Sequence, residues 1–178
     1  ENKRMQSQVE LVLQTSLIDK DRIKIRREIK NIHDILQKTA DRFSIEQTDK
    51  QADFSFDLRA SNPHIPVDYN HISNVFSNLI DNGIKYSGAK PKITIRTEEK
   101  DHGIIVLIKD QGIGMTRDAQ RRIFDKFYRV STGDIHNVKG FGLGLYYVKT
   151  IVESHQGSVW VKSILNKGSS FYVFLPRA

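Results

Sequence analysis

The 178-residue chain is 38% hydrophobic and 28% charged, enough for one buried core with an appendage and too little for two full domains. Lys and Arg exceed Asp and Glu by 28 to 21, a formal charge of +7, but basic residues interleave with acids, as in KDRIKIRREIK, which argues against a nucleic-acid partner. Cysteine is absent, which excludes disulfides and thiolate metal sites, and no apolar run approaches the ~18 residues of a membrane span, so a soluble chain in a reducing cytoplasm is expected.

Residues 1–18 set Met5, Val9, Val12, Leu13 and Leu17 on one stripe, which predicts an amphipathic helix in need of a partner. The sequence opens inside that helix on Glu1, without an initiator Met, and so reads as a piece of a longer protein. Ile23 and Ile25 alternate within Arg22 to Arg26 as a short strand would, and a second helix carries Ile29, Ile32, Ile35, Leu36 and Phe43. Phe54, Phe56 and Leu58 predict a half-buried strand, closed by Asn62-Pro63 and Ile65-Pro66. A third helix starts near Asp68 as its N-cap and is ended by Gly88 and Pro91. Ile93 and Ile95 begin the next strand. After the turn at 100–103, the continuous apolar run Ile104 to Ile108 predicts a strand near the sheet centre. A short helix within TRDAQRRIFDKFYRV ends in aromatics, and the polar stretch 131–140 is expected to be mobile. GFGLGL opens a last helix with Leu145, Val148 and Val152 on one face and Gly157 as its stop, and a hairpin turning at 166–168 closes the chain.

Three stretches carry candidate chemistry. On the third helix Asn74, Asn78 and Asn82 recur every four residues, and Lys85 follows; at ~100° per residue they share one edge, beside an apolar sector of Ile72, Val75, Phe76, Leu79, Ile80 and Gly83. The plain reading is a solvated face, but Asn is a middling helix former, and three on one edge suggest that something uses their amides. In DQGIGM, a buried strand delivers Asp110 at its carboxyl end, while Gly112 and Gly114 let the backbone turn and approach a flat ligand. A buried carboxylate needs hydrogen-bond donors, and an adenine amine supplies one where guanine presents a carbonyl; an ordinary Asp-Gly turn would look the same in isolation. GFGLGL, residues 140–145, could seat phosphate oxygens on a helix N-terminus or simply serve as a hinge. It lacks the GxxxxGK(S/T) pattern, and its third glycine comes one residue too early for a dinucleotide fingerprint.

Taken together, these elements suggest a Mg-ATP site. Asn82 or Asn78 would offer a neutral oxygen to the ion, Lys85 a point charge to the phosphates, and Tyr86 a cover for ribose or base. The six histidines show no zinc-binding spacing, and His33 reads as a helix-surface or partly packed histidine.

NLIDNGIKYS, DQGIGM, IFDKFYRV and GFGLGLYYVKTIVESHQG, in that order, closely resemble the asparagine, first glycine, phenylalanine and second glycine boxes of sensor histidine kinase ATP-binding domains, and the likeness covers about residues 20–178. It implies an α/β two-layer sandwich, a mixed sheet covered by helices, preceded by a short helix. Residues 1–18 resemble the end of the dimerisation and phosphoacceptor hairpin, leaving 19–178 as the ATP-binding domain. Carried over motif by motif, Asn78 and Asn82 serve magnesium and phosphates, Lys85 the phosphates, Tyr86 the nucleotide and Asp110 the adenine amine. Gly112 and Gly114 shape the adenine floor. Phe124 and Phe127 anchor a lid over residues 115–139, Arg129 meets the terminal phosphate, and Gly140, Gly142, Leu143, Gly144 and Leu145 form the phosphate-side turn.

The implied reaction moves the γ-phosphoryl group of ATP to a histidine and then to an aspartate of a response regulator. The implied parent is a homodimer anchored in a membrane, with this domain on the cytoplasmic side. An acceptor box of the form His-Asp/Glu-x-Lys/Arg-x-Pro is missing from the sequence; His33-Asp34 begins like one but lacks the basic residue and the proline. That departure puts autophosphorylation by the fragment in doubt, not ATP binding. A second is Gly83, where many members carry Ala, a change that costs about 1 kcal/mol of helix propensity and would relieve crowding. Two other readings remain: a non-catalytic interaction domain on the same fold, against which the intact Asn and Gly motifs argue, and an ATPase of the wider superfamily, which would need a Glu base on the Asn helix where Asn78 stands.

Overall fold

In the computed structural model, which describes residues 24–45, 50–130 and 141–177, the chain order is β1 (Glu28–Asn31), α1 (Ile32–Ile45), β2 (Asp53–Leu58), β3 (His64–Val67), α2 (Tyr69–Lys85), β4 (Lys92–Lys100) and β5 (Gly103–Asp110). The short α3 (Arg117–Arg122) follows, then α4 (Gly144–Ser154), β6 (Ser158–Ile164) and β7 (Gly168–Pro176). Five strands form one mixed sheet in the order β2-β4-β5-β7-β6, with only β2 and β4 parallel. The apolar strand β5 lies at its centre, because both its neighbours and the helix layer exclude water from it. Helix α2 packs against α1 and α4 and down onto β4 and β5, burying Ile72, Val75, Phe76, Leu79, Ile80 and Gly83. The apolar sector read from the sequence is therefore the core-facing side.

Two local expectations are corrected. The strand expected over Arg22 to Arg26 is not found at its described residues: 24–27 are outside any regular element, Arg22 and Ile23 lie outside the described residues, and the strand is Glu28–Asn31. Ile29 consequently leaves the helical stripe and pairs with Pro66. Asn31 sets this boundary, since its Oδ1 accepts the backbone N–H of His33 at 2.9 Å and of Asp34 at 3.4 Å, capping α1 so that it starts at Ile32. The proline-bearing segment expected only to close the Phe54–Leu58 strand contains a strand of its own, β3, antiparallel to β1. A proline is tolerated there because a two-stranded ribbon leaves one edge of each strand unpaired. The predicted helix over 1–18 lies outside the described residues, as does the polar stretch 131–140 with Gly140.

Candidate functional site

Helix α2 is fixed at both ends. Asp68 caps its start, accepting the His71 N–H at 3.2 Å, and at its end Lys50 Nζ donates to the Lys85 carbonyl at 3.3 Å and, just past the helix, to that of Ser87 at 2.6 Å. Asn74, Asn78, Asn82 and Lys85 form a half-buried edge between these caps. The Asn78 amide donates through Nδ2 to the Asn74 carbonyl at 2.8 Å, which leaves Oδ1 as the group it can offer a ligand. Lys85 is paired with Asp81 one turn back.

Helix α4 lies antiparallel to α2 and meets it at three levels. At the first, Gly144 sits against Asn78 so closely that a Cβ there would be 2.7 Å from Asn78 Oδ1. At the second, the buried Tyr147 hydroxyl is 2.9 Å from His71 Nδ1, with the Asn74 side chain as a second hydrogen-bonding neighbour. Burial pushes the Tyr147 phenol up to about 12, so it stays a donor. At the third, His155, at the C-cap of α4, donates from Nδ1 to the Ile151 carbonyl at 2.7 Å and accepts the Asp68 N–H on Nε2 at 3.0 Å. Desolvation holds the His155 imidazole below the usual histidine range.

Asp110, at the end of β5, is only 6% exposed. Its Oδ1 accepts two backbone N–H groups, Gly112 at 2.8 Å and Ser169 at 3.1 Å. Burial nevertheless raises the carboxyl above its ordinary value, with these bonds acting in the opposite direction. Both glycines of DQGIGM are required by close packing on the protein itself. A Cβ on Gly112 would lie 2.6 Å from the Tyr86 carbonyl oxygen, and Gly114 has φ +64° with the Ile164 carbonyl 2.0 Å from where a Cβ would stand. Gly83 follows the same logic, since a Cβ would meet Ile93 Cδ1 at 2.8 Å and Asp110 Cβ at 3.3 Å, so its absence lets α2 approach the Asp110 strand. The β6–β7 turn reaches the same corner: the Asn166 N–H donates to the Ile113 carbonyl at 2.7 Å, and Gly168 crosses directly over Asp110.

The remaining expected site residues are placed as follows. Tyr86 is the C-cap of α2; burial raises its phenol, and the positive charge of nearby Arg129 partly offsets that shift. Phe124 is packed edge-on against Phe171, with ring centroids 6.4 Å apart. Phe127, at φ 64°, is 63% exposed, and it ties in through its backbone, whose N–H donates to the Gly142 carbonyl at 3.0 Å. Gly142 has φ +71° and no room for a side chain against Phe127 and Tyr128. Leu143 is buried and Leu145 partly so, which seats the first turn of α4 beside Asn78. His33 is packed, its Nε2 2.8 Å from Thr97 Oγ1. Sequence reasoning missed Ser169, Gly168, Tyr147 and His71. Only the paired tyrosines at the start of α4 hinted at one of them.

The residues fit a purine nucleotide with a divalent ion. Asp110 has one oxygen fixed by backbone donors and a second for a ligand amine, and Asn78 offers a neutral oxygen of the kind a hard cation takes beside phosphates. The mixed sheet under its helix layer, with a glycine-rich turn seated beside Asn78, is an α/β two-layer sandwich. Residues 67–178 match the family described as histidine kinase-, DNA gyrase B- and HSP90-like ATPase, and the chain belongs to that family. It is 38% identical over 180 residues to the sensor protein RprX of Bacteroides fragilis and 30% identical over 177 residues to the sensor protein SrrB of Staphylococcus aureus. Each alignment takes in 99% of this chain, which spans about a third of the length of these relatives (34% and 30%). Among solved structures, full-length ShkA in complex with AMPPNP superposes with a TM-score of 0.85 at 23% identity, over 98% of this chain and 36% of that one. The histidine kinase ThkA in complex with the response regulator protein TrrA gives 0.78 at 22% identity, over 100% and 48%. These likenesses support the mixed-sheet sandwich fold of histidine kinase catalytic domains.

Proposed function

We propose that residues 19–178 are the Mg-ATP-binding catalytic domain of a two-component sensor histidine kinase, and that residues 1–18 are the end of its dimerisation and phosphoacceptor hairpin. The observation that carries this reading is the buried Asp110, with one carboxylate oxygen held by Gly112 and Ser169 and the other left to accept an adenine amine. Asp110 reads the base, Gly112 and Gly114 keep the floor flat, and Tyr86 borders it. Asn78 and Asn82 would hold the ion through their carbonyl oxygens, and Lys85, one turn from its partner Asp81, would meet a phosphate. Arg129 approaches the terminal phosphate, and the turn at Gly140, Gly142, Leu143, Gly144 and Leu145 closes the phosphate side. Phe124 roots the lid.

Mg-ATP supplies a transferable phosphoryl group with part of its charge neutralised; the protein contributes positioning and electrostatics. The acceptor is a histidine imidazole outside this sequence, and a response-regulator aspartate receives the group next. The parent is a membrane-anchored homodimer with this domain in the cytoplasm. Calorimetric titration with ATP and GTP in the presence of magnesium tests the reading: ATP should bind and GTP bind more weakly. Absence of ATP binding at millimolar concentration overturns it.

A further inference from the structure

We propose that Tyr147 is a positioning residue: its hydroxyl, bonded to His71, holds α2 in the rotation that presents Asn78 to the nucleotide's magnesium ion. This rests on the Mg-ATP reading above and adds to it a residue on the opposite helix. The argument begins from cost. The face of α4 around Tyr147 is apolar, formed by Val148, Ile151 and Val152, and a phenylalanine would fill the same volume without a hydroxyl to satisfy. The hydroxyl therefore answers to geometry and not to burial. Its partner His71 and its neighbour Asn74 lie on the same stripe of α2 as Asn78, and the Asn74 carbonyl in turn holds the Asn78 amide. Seven residues separate His71 from Asn78, two turns and about 10 Å along the axis, so the two share one azimuth and rotate together.

The two other α2–α4 contacts described above do not do this. Gly144 meets Asn78 sterically, which permits approach but pulls nothing into place. His155 bonds the backbone of Asp68, at the far end of α2. Among the described residues, the bonds of the Tyr147 hydroxyl to His71 and Asn74 are thus the side-chain bonds between the helices that lie nearest to Asn78.

The test is Tyr147→Phe in the 178-residue chain, with ATP affinity measured by calorimetry in magnesium and again in EDTA. If the unaltered chain fails to bind ATP, the underlying reading falls and this inference with it. If it binds, Tyr147→Phe should weaken affinity about tenfold in magnesium, as for the loss of an outer-shell support, and change the EDTA value by less than about twofold. Unchanged affinity in both conditions, or an equal loss in both, overturns the positioning role alone. His71→Leu approaches the bond from the other side and should reproduce the magnesium-specific loss without adding to it in the double variant, while His71→Gln, which retains an acceptor, should restore part of it. Additive losses would overturn the proposal.

Discussion

Gly144 and Asn78 meet with no room for a methyl group between them: a Cβ on Gly144 would stand 2.7 Å from Asn78 Oδ1. The glycine opens α4, where alanine is the better helix former by about 1 kcal/mol, so its value lies in the approach and not in propensity. Gly144→Ala is expected to leave the melting temperature within a few degrees while Mg-ATP affinity falls by roughly an order of magnitude. Calorimetric titration alongside thermal unfolding separates the two effects, and a variant that binds as well as the parent would show that Asn78 moves freely.

Asp110→Asn should also divide stability from function, through base selectivity. The amide keeps an oxygen for the Gly112 and Ser169 N–H groups and removes a carboxylate whose charged form burial disfavours. Chemical denaturation at neutral pH should show a variant at least as stable as the parent, by up to about 1 kcal/mol. Its preference for ATP over GTP should collapse, because an amide can turn a donor towards the guanine carbonyl. A retained preference would assign base recognition elsewhere.

Gly114→Ala is expected to act on folding. The residue sits at φ +64°, and the Ile164 carbonyl occupies the space of a Cβ. Backbone strain and displacement of the β6–β7 turn together should cost about 3 kcal/mol and lower the melting temperature by roughly 10 °C. A change of less than a third of that would mean that the turn yields easily.

His155 gives the fold a dependence on pH. Burial keeps the imidazole neutral, with Nε2 accepting the Asp68 N–H. As pH falls below about 6.5 the unfolded chain takes up a proton that the folded chain refuses. The stabilisation from neutral His155 is therefore complete above that value and is lost on the way down to the depressed folded value. Urea unfolding at about pH 7.5 and about pH 5.5 should show a larger loss for the parent than for His155→Gln. Equal losses would remove His155 as the cause.

What was legible in the sequence follows from the range of each signal. Apolar spacing reported α2 and β4 because it reflects which face is buried, a continuous apolar run reported β5, the turn at 166–168 reported the closing hairpin, and Asp68 announced its cap by its type and its place after Pro66 and Val67. The strand at His64–Val67 was hidden by its prolines, and Ile29 was claimed for a helix because nothing local distinguishes a ribbon residue from the first turn of a stripe. The motif residues Asn78, Asp110 and Gly144 were visible as types at spacings. Ser169 and Gly168 were not, because their part in the site depends on a turn folding back across 58 or more residues of chain to Asp110. Asn74, which sequence spacing left without a role, gains one through Tyr147 and Asn78.

The crossing of Gly168 over Asp110 also orders events in time. A nascent polypeptide that has emerged only as far as Ile164 already carries the sequence of the asparagine helix, the central strand and the glycine turn, yet Asp110 lacks the Ser169 N–H and the covering Gly168. Contacts of such sequence separation form late, after the loop between them has been closed. Nucleotide capture would then report that the last strand has docked, and ligand present during synthesis would stabilise finished chains and leave truncated ones exposed to proteolysis.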